Sequence, residues 1–190
     1  MNMNIMIVGV GGQGSLLASK LLGNVVMASG YDVKVSEVHG MSQRGGSVVT
    51  YVKYSDDKVY SPVINEGEAD LIISFEMLEA ARWLPFLKKG GSIIVNNQEI
   101  SPMPVITGAM TYPENLADKL KNAVDNLYIV DALDKANEAG NAKAVNVVLM
   151  GVASKIIGFS EQLWQQALKE CVPEKFLELN QKAFELGREE

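Results

Sequence analysis

Two short stretches hold the residues whose types and spacing could do chemistry. The first is Gly9-Val10-Gly11-Gly12-Gln13-Gly14, placed between an apolar run, Ile5-Met6-Ile7-Val8, and a helical pattern. A glycine turn at a strand-to-helix junction lets a phosphate approach the backbone, and the first helical amides add unpaired N–H groups and partial positive charge. The second is Glu37-Val38-His39-Gly40-Met41-Ser42-Gln43-Arg44-Gly45-Gly46-Ser47, which combines the single histidine, an arginine and three glycines. Such loops make ligand or partner surfaces, because glycine admits close approach and arginine forms forked bonds to carboxylate or phosphate.

Three readings of the glycine loop stand side by side. A dinucleotide would want an acid near the end of the second strand, and Glu37 is suitably placed. Another phosphate-bearing molecule would use the same amides, and a purely structural role would use the glycines for close strand-helix packing. No Gly-Lys-Ser/Thr follows, which excludes a nucleotide triphosphatase loop. His39 reads as a loop-ordering side chain rather than a proton carrier, and Glu37 as either a ribose contact or a loop anchor. No residue is singled out as catalytic or as a metal ligand. Cys171 is the only cysteine, so this chain forms no internal disulfide and cannot supply the four thiolates an iron-sulfur cluster usually takes.

The elements that must position these loops follow from periodicity. Ile5 to Val8 reads as a strand buried on both faces. A helix is predicted from Ser15 to Ser29, with Leu17, Leu21, Leu22, Val25 and Val26 at helical spacing and Gly30 in the left-handed position that closes it. Val33 and Val35 mark a second strand and Ser47 to Tyr54 a third; Asp56-Asp57 suggests a hairpin into Lys58-Val59-Tyr60. Further strands are expected at Ala69 to Ser74, Ile93 to Val95 and Leu127 to Val130. A helix is expected over Glu76 to Lys88, stopped by Gly90-Gly91, and another after Pro113. The prolines near Ser101-Pro102-Met103-Pro104 predict an irregular connection with a short extended piece at Val105-Ile106. From about Asp131 onward the pattern is helical: Asp131 to Ala139, Ala142 to Ile157, Glu161 to Cys171 and Glu174 to Leu186. Trp83 and Trp164 fall at helical core or interface positions. The expectation is one domain over 1–190. Its fold is a three-layer, Rossmann-like α/β sandwich with a mixed, mostly parallel sheet and a helical C-terminal region packed on one face.

Bulk composition narrows the partners. The 190 residues are 47% hydrophobic and 21% charged, an ordinary globular balance. With 17 basic and 23 acidic residues the net charge is −6, and no stretch supplies the basic face a nucleic-acid binder needs. No apolar run reaches the roughly 18 residues of a membrane span. Met1-Asn2-Met3-Asn4 lacks the basic flank of an export signal, so a cytoplasmic location is expected.

On these residues the chain resembles a known family. Gly9 to Gly14 with Leu16-Leu17-Ala18, then Gly30-Tyr31-Asp32-Val33, then Ser36 through Val48, are similar to the gamma-type domain of 2-oxoacid:ferredoxin oxidoreductases. Ser61-Pro62, Gly67-Glu68-Ala69-Asp70 and Phe75-Glu76 with Glu79-Ala80 extend the likeness through most of the first hundred residues. The Glu37 to Gly46 loop is most similar to the indolepyruvate branch.

The resemblance implies oxidation of an aryl pyruvate to an aryl-acetyl-CoA with carbon dioxide released and ferredoxin reduced. It implies no cofactor bound by this chain alone. Thiamine diphosphate, magnesium and 4Fe-4S clusters would belong to a large alpha subunit, with coenzyme A as co-substrate and ferredoxin reached through that partner. The Gly-Asp-Gly to Asn-Asn signature of a thiamine site is absent, and Asn96-Asn97 reads as the polar end of a strand. Carried over residue by residue, Gly11, Gly12, Gln13 and Gly14 become candidate phosphate contacts. Ser36, His39, Gln43 and Arg44 become candidates for the pocket or the subunit interface, with a loop-pinning salt bridge as the alternative for Arg44. A free-standing NAD(P)-dependent reductase and a scaffold subunit are the competing functions.

Overall fold

The computed structural model describes residues 2–40 and 46–190. Its frame is a six-stranded sheet in the order β2-β3-β1-β4-β5-β6, formed by β1 (Met3–Val10), β2 (Asp32–His39), β3 (Ser47–Ser55), β4 (Ala69–Ser74), β5 (Leu87–Asn96) and β6 (Asn126–Val130). β1, β4, β5 and β6 run parallel, whereas β3 is antiparallel to both β1 and β2. The sheet is mixed and mostly parallel, as expected.

Side-chain alternation along β1 divides the core in two. Ile5 and Ile7 face a layer with α1 (Ser15–Ala28), α5 (Ala132–Ala139), α6 (Val145–Ile157), α7 (Glu161–Cys171) and α8 (Leu177–Arg188). Met6 and Val8 face α2 (Met77–Trp83) and α4 (Leu116–Ala123). The helical tail therefore joins α1 on one face and completes the three layers. In α1, Leu21, Leu22, Val25 and Val26 are buried, each worth about 1.5–3 kcal/mol. Gly30 follows at φ +83°, where the left-handed turn releases the chain into β2.

α6 and α8 cross so closely that a Cβ on Gly151 would lie 2.2 Å from the Phe184 carbonyl oxygen. One on Gly187 would lie 2.0 Å from that of Val148. Trp164 is buried beneath this crossing and tilts against Phe184 at 5.6 Å between ring centroids. Trp83 is half-buried against Phe86 on the other face.

Three local expectations are corrected. Residues 58–60 form no strand; the Asp32 carboxylate takes the Val59 amide at 2.7 Å, and the antiparallel pairing comes from β3 running back between β1 and β2. That bond, before any nearby lysine, holds the Asp32 carboxyl below its ordinary range. The helix after Glu76 stops at Trp83, because Pro85 tightens the chain into a 3-10 turn and β5 begins at Leu87. Gly90 and Gly91 then lie inside β5 beside a register shift opposite Ala69 and Leu71, at a strand irregularity rather than a helix stop. Finally, Val105 and Ile106 belong to a single helical turn, α3 (Met103–Ile106), whose proline-rich start tolerates the missing N–H groups.

Candidate functional site

β1 and β2 point the same way although β3 separates them, so Val10 and His39 end at one edge of the sheet. The loops that follow meet there: the Gly11 amide donates to the Gly46 carbonyl at 2.9 Å. Glu37 strengthens the junction by accepting Ser15 Oγ at 3.0 Å and Thr50 Oγ1 at 3.1 Å. Its carboxylate thus ties β2 to the start of α1 and to β3, which is the anchoring role. A dinucleotide-binding half would place the second strand directly beside the first. The intervening antiparallel β3 and the occupied Glu37 carboxylate leave that reading without its geometry.

The glycines divide by environment. A Cβ at Gly9 would lie 2.7 Å from Gln13 Oε1 and 3.0 Å from Phe75 Cβ, so this glycine serves packing. At Gly14, φ +89°, a Cβ would lie 2.6 Å from Asn146 Nδ2. At Gly12, φ +97°, no described residue lies within 4 Å of that position. Gln13 folds inward, accepting the Val10 amide at 2.7 Å and donating to the Phe75 carbonyl at 3.2 Å. It braces the ends of β1 and β4, and its amide is committed to that brace.

Beside Gly12, Gln13 and Gly14 opens a cleft of about 570 Å³, walled also by Leu17, Gln98, Ile100, Leu133, Ala142, Lys143, Val145 and Asn146. It lies outside the carboxyl ends of β1 and β5, where open α/β sheets seat their ligands. Gly14 caps α1 without any side-chain acceptor, and no acidic residue occupies the first turn. Among the described residues, Lys143 is the one charged side chain on the wall. An acidic chain therefore presents a locally positive cleft, suited to an anionic group of a ligand.

Lys143, Asn146 and Gln98 were not anticipated from the sequence. Asn146 is buried, donates Nδ2 to the Gly14 carbonyl at 3.2 Å and accepts the Val147 amide at 2.9 Å, so it pins the loop from 132 residues away. A polar residue opening the apolar run Val145–Ile157 was the available signal. Lys143 follows a left-handed stop at Gly140 and the Asn141 side-chain cap.

The remaining candidates are placed as follows. His39 ends β2, is exposed, and has Nδ1 3.2 Å from the Gly40 carbonyl. Ser36 is half-buried opposite Tyr51, on the sheet face away from α1, and does not line the cleft. Gln43 and Arg44 lie outside the described residues. Among the described residues no group of three or more His, Cys, Asp or Glu could hold a metal ion, and no helix is long and apolar enough to cross a membrane.

The polar network continues on the α2 face. Glu76 is buried, caps α2 by accepting the Glu79 amide at 2.8 Å, and accepts Tyr112 Oη at 2.5 Å and the Ile100 amide at 3.0 Å. Burial, reinforced by this carboxylate, pushes the Tyr112 hydroxyl well above its ordinary value.

The chain is 46% identical to indolepyruvate oxidoreductase subunit IorB of Thermococcus kodakarensis over 97% of its own length and 93% of the relative's. It is 44% identical, with the same coverage, to the subunit of that name from Pyrococcus horikoshii. The crystal structure of the keto/oxoacid ferredoxin oxidoreductase gamma subunit from Geobacter sulfurreducens superimposes with a TM-score of 0.73, at 25% identity, covering 98% of this chain and 96% of that one. The family model described as pyruvate ferredoxin/flavodoxin oxidoreductase matches residues 4–190, and with these loops, this sheet order and that match the chain belongs to the pyruvate ferredoxin/flavodoxin oxidoreductase family.

Proposed function

We propose that this chain is a subunit of an indolepyruvate:ferredoxin oxidoreductase and that it works only when a larger subunit closes over the edge where its two loops meet. The observation that carries the reading is the Gly11 to Gly46 bond, which fastens the end of the second loop to the glycine loop beside the cleft. The full-length likeness to indolepyruvate oxidoreductase subunits supplies the substrate class. In the reaction an aryl pyruvate, coenzyme A and oxidised ferredoxin give an aryl-acetyl-CoA, carbon dioxide and reduced ferredoxin.

Thiamine diphosphate with magnesium, and iron-sulfur clusters, supply the decarboxylation and the single-electron path when bound. The donor set here does not fit a cluster, since Cys171 is the sole cysteine, so these groups are assigned to the larger subunit. This chain's part is binding. The amides of Gly12 and Gly14, with Lys143, receive phosphate oxygens of coenzyme A, while Gly11 keeps its bond to Gly46 and Gln13 and Asn146 hold the turn in shape. His39, Ser36, Gln43 and Arg44 are assigned to the face that meets the partner.

Co-expression with the larger subunit tests this under anaerobic conditions. The pair is expected to reduce ferredoxin with indolepyruvate only when coenzyme A is present, and neither chain alone to do so. Turnover by the isolated chain, or a complex that accepts pyruvate or 2-oxoglutarate in preference to aryl pyruvates, would refute it.

A further inference from the structure

The connection between β2 and β3 is fastened at its two ends from opposite faces of the sheet. On the α1 face the fastener is Glu37. On the other it is Glu79 of α2, a carboxylate only 4% exposed. A carboxylate buried to that degree is costly unless its oxygens are bonded. Glu79 has three donors: Ser47 Oγ at 2.5 Å, Arg82 Nε at 3.0 Å and Trp83 Nε1 at 3.3 Å. Two of these lie within the same stretch of chain. The third reaches 32 residues back to the first residue of β3.

Helix stability does not account for the long reach, because Glu76 already caps α2 and the exposed Arg82 could pair with a carboxylate in solvent. What Ser47 adds is position. It pairs with Val10, and its neighbour Gly46 accepts the Gly11 amide, so fixing Ser47 fixes the point where the second loop meets the glycine loop.

We propose that Glu79 is a positioning residue: through Ser47 it holds Gly46 against Gly11 and so sets the spacing of the two loops that receive the acyl acceptor. The kinetic consequence rests on the function proposed above, whereas the structural consequence does not.

The test uses the full chain, alone and assembled with its larger subunit, carrying Glu79→Ala, Glu79→Gln, Ser47→Ala or Arg82→Ala. In the isolated chain, exchange of the Gly11 amide should quicken about tenfold in Ser47→Ala and Glu79→Ala, as for loss of a charge-assisted bond. It should stay within about threefold of the parent in Glu79→Gln, which keeps an acceptor, and in Arg82→Ala, which leaves Ser47 bonded. In the assembly, the same two damaging variants should raise KM for coenzyme A about tenfold with kcat held within about twofold, a split that general destabilisation would not produce. The Glu79→Ala/Ser47→Ala double variant should be no worse than Glu79→Ala, since both break one contact. Unchanged Gly11 exchange in Ser47→Ala, or Arg82→Ala as harmful as Glu79→Ala, overturns the proposal. Ser47→Ala keeps the test decisive if Glu79→Ala fails to fold. An assembly inert towards aryl pyruvates would remove the functional reading while the exchange experiment still decides the role of Glu79.

Discussion

Replacing Gly12 and Gly14 by alanine, one at a time, distinguishes a glycine that faces ligand from one that is packed. Both adopt positive φ, +97° and +89°, so either methyl group costs about 2 kcal/mol in backbone strain. Beyond that the two positions part. At Gly12 the new Cβ meets no described residue within 4 Å; at Gly14 it would lie 2.6 Å from Asn146 Nδ2 and displace the amide that donates to the Gly14 carbonyl. The lost bond adds roughly 1 kcal/mol and the overpacking about as much again, bringing Gly14→Ala to about 4 kcal/mol. At about 2–4 °C per kcal/mol for a chain of this size, Tm should fall by about 4–8 °C for Gly12→Ala and about 8–16 °C for Gly14→Ala. Affinity should rank them the other way per unit of stability lost, because the Gly12 methyl projects where phosphate oxygens would approach the amides. A tenfold loss of coenzyme A affinity, about 1.4 kcal/mol, is expected in the assembled enzyme carrying Gly12→Ala. Thermal melts of the chain and coenzyme A titrations of the complex measure both. Equal melting losses, or Gly12→Ala with undiminished affinity, would refute the division of roles.

Gly187→Ala drives a Cβ against the Val148 carbonyl oxygen and must separate α6 from α8; the denaturant midpoint should fall by the equivalent of about 3 kcal/mol or more, and a neutral result would disprove the tight crossing. Among the described residues the buried Trp164 Nε1 has no hydrogen-bond partner, so Trp164→Phe removes an unsatisfied donor and should cost less than about 1.5 kcal/mol. Trp164→Ala should cost about 3–5 kcal/mol, and similar losses for both would contradict this account. Burial pushes the Tyr54 hydroxyl from 10.0 up to about 12, so the folded chain holds that proton more tightly than the unfolded one. Its contribution is therefore intact below pH 10 and drains away between pH 10 and about 12. Tyr54→Phe should flatten the alkaline fall in urea midpoints, with Tyr112 still contributing in the same direction; an unchanged slope would rule Tyr54 out.

Local sequence was sufficient where the determining interaction is local. Ile5 to Val8, the helical spacing after Ser15, the left-handed turn at Gly30 and the apolar runs at Ala69, Ile93 and Leu127 announce their own elements, since burial and backbone preference act within a few residues. The glycine loop and the Glu37 to Ser47 stretch were likewise visible as segments whose residue types suit ligand or partner contact. Pro85 and the prolines around Met103 were visible too, yet their outcome depended on context. Pro85 ended a helix early and let β5 absorb Gly90 and Gly91, while Pro102 and Pro104 admitted a helical turn.

What tertiary structure alone decided is which distant groups meet. β3 inserts between β1 and β2: its antiparallel hairpin forms with the preceding β2 rather than with 58–60, and its other edge pairs with β1, a long-range choice that no turn residue encodes. Gln13, read as a phosphate contact, turns inward because the ends of β1 and β4 offer an amide and a carbonyl within reach. Lys143 and Asn146 arrive at the cleft from α6 and its preceding turn, and Glu79 reaches Ser47 across the sheet edge. Periodicity along the chain encodes which face of an element is buried; the partner it is buried against is set by the packing of all six strands and their helices together, and it is that packing which brings the two loops to one edge.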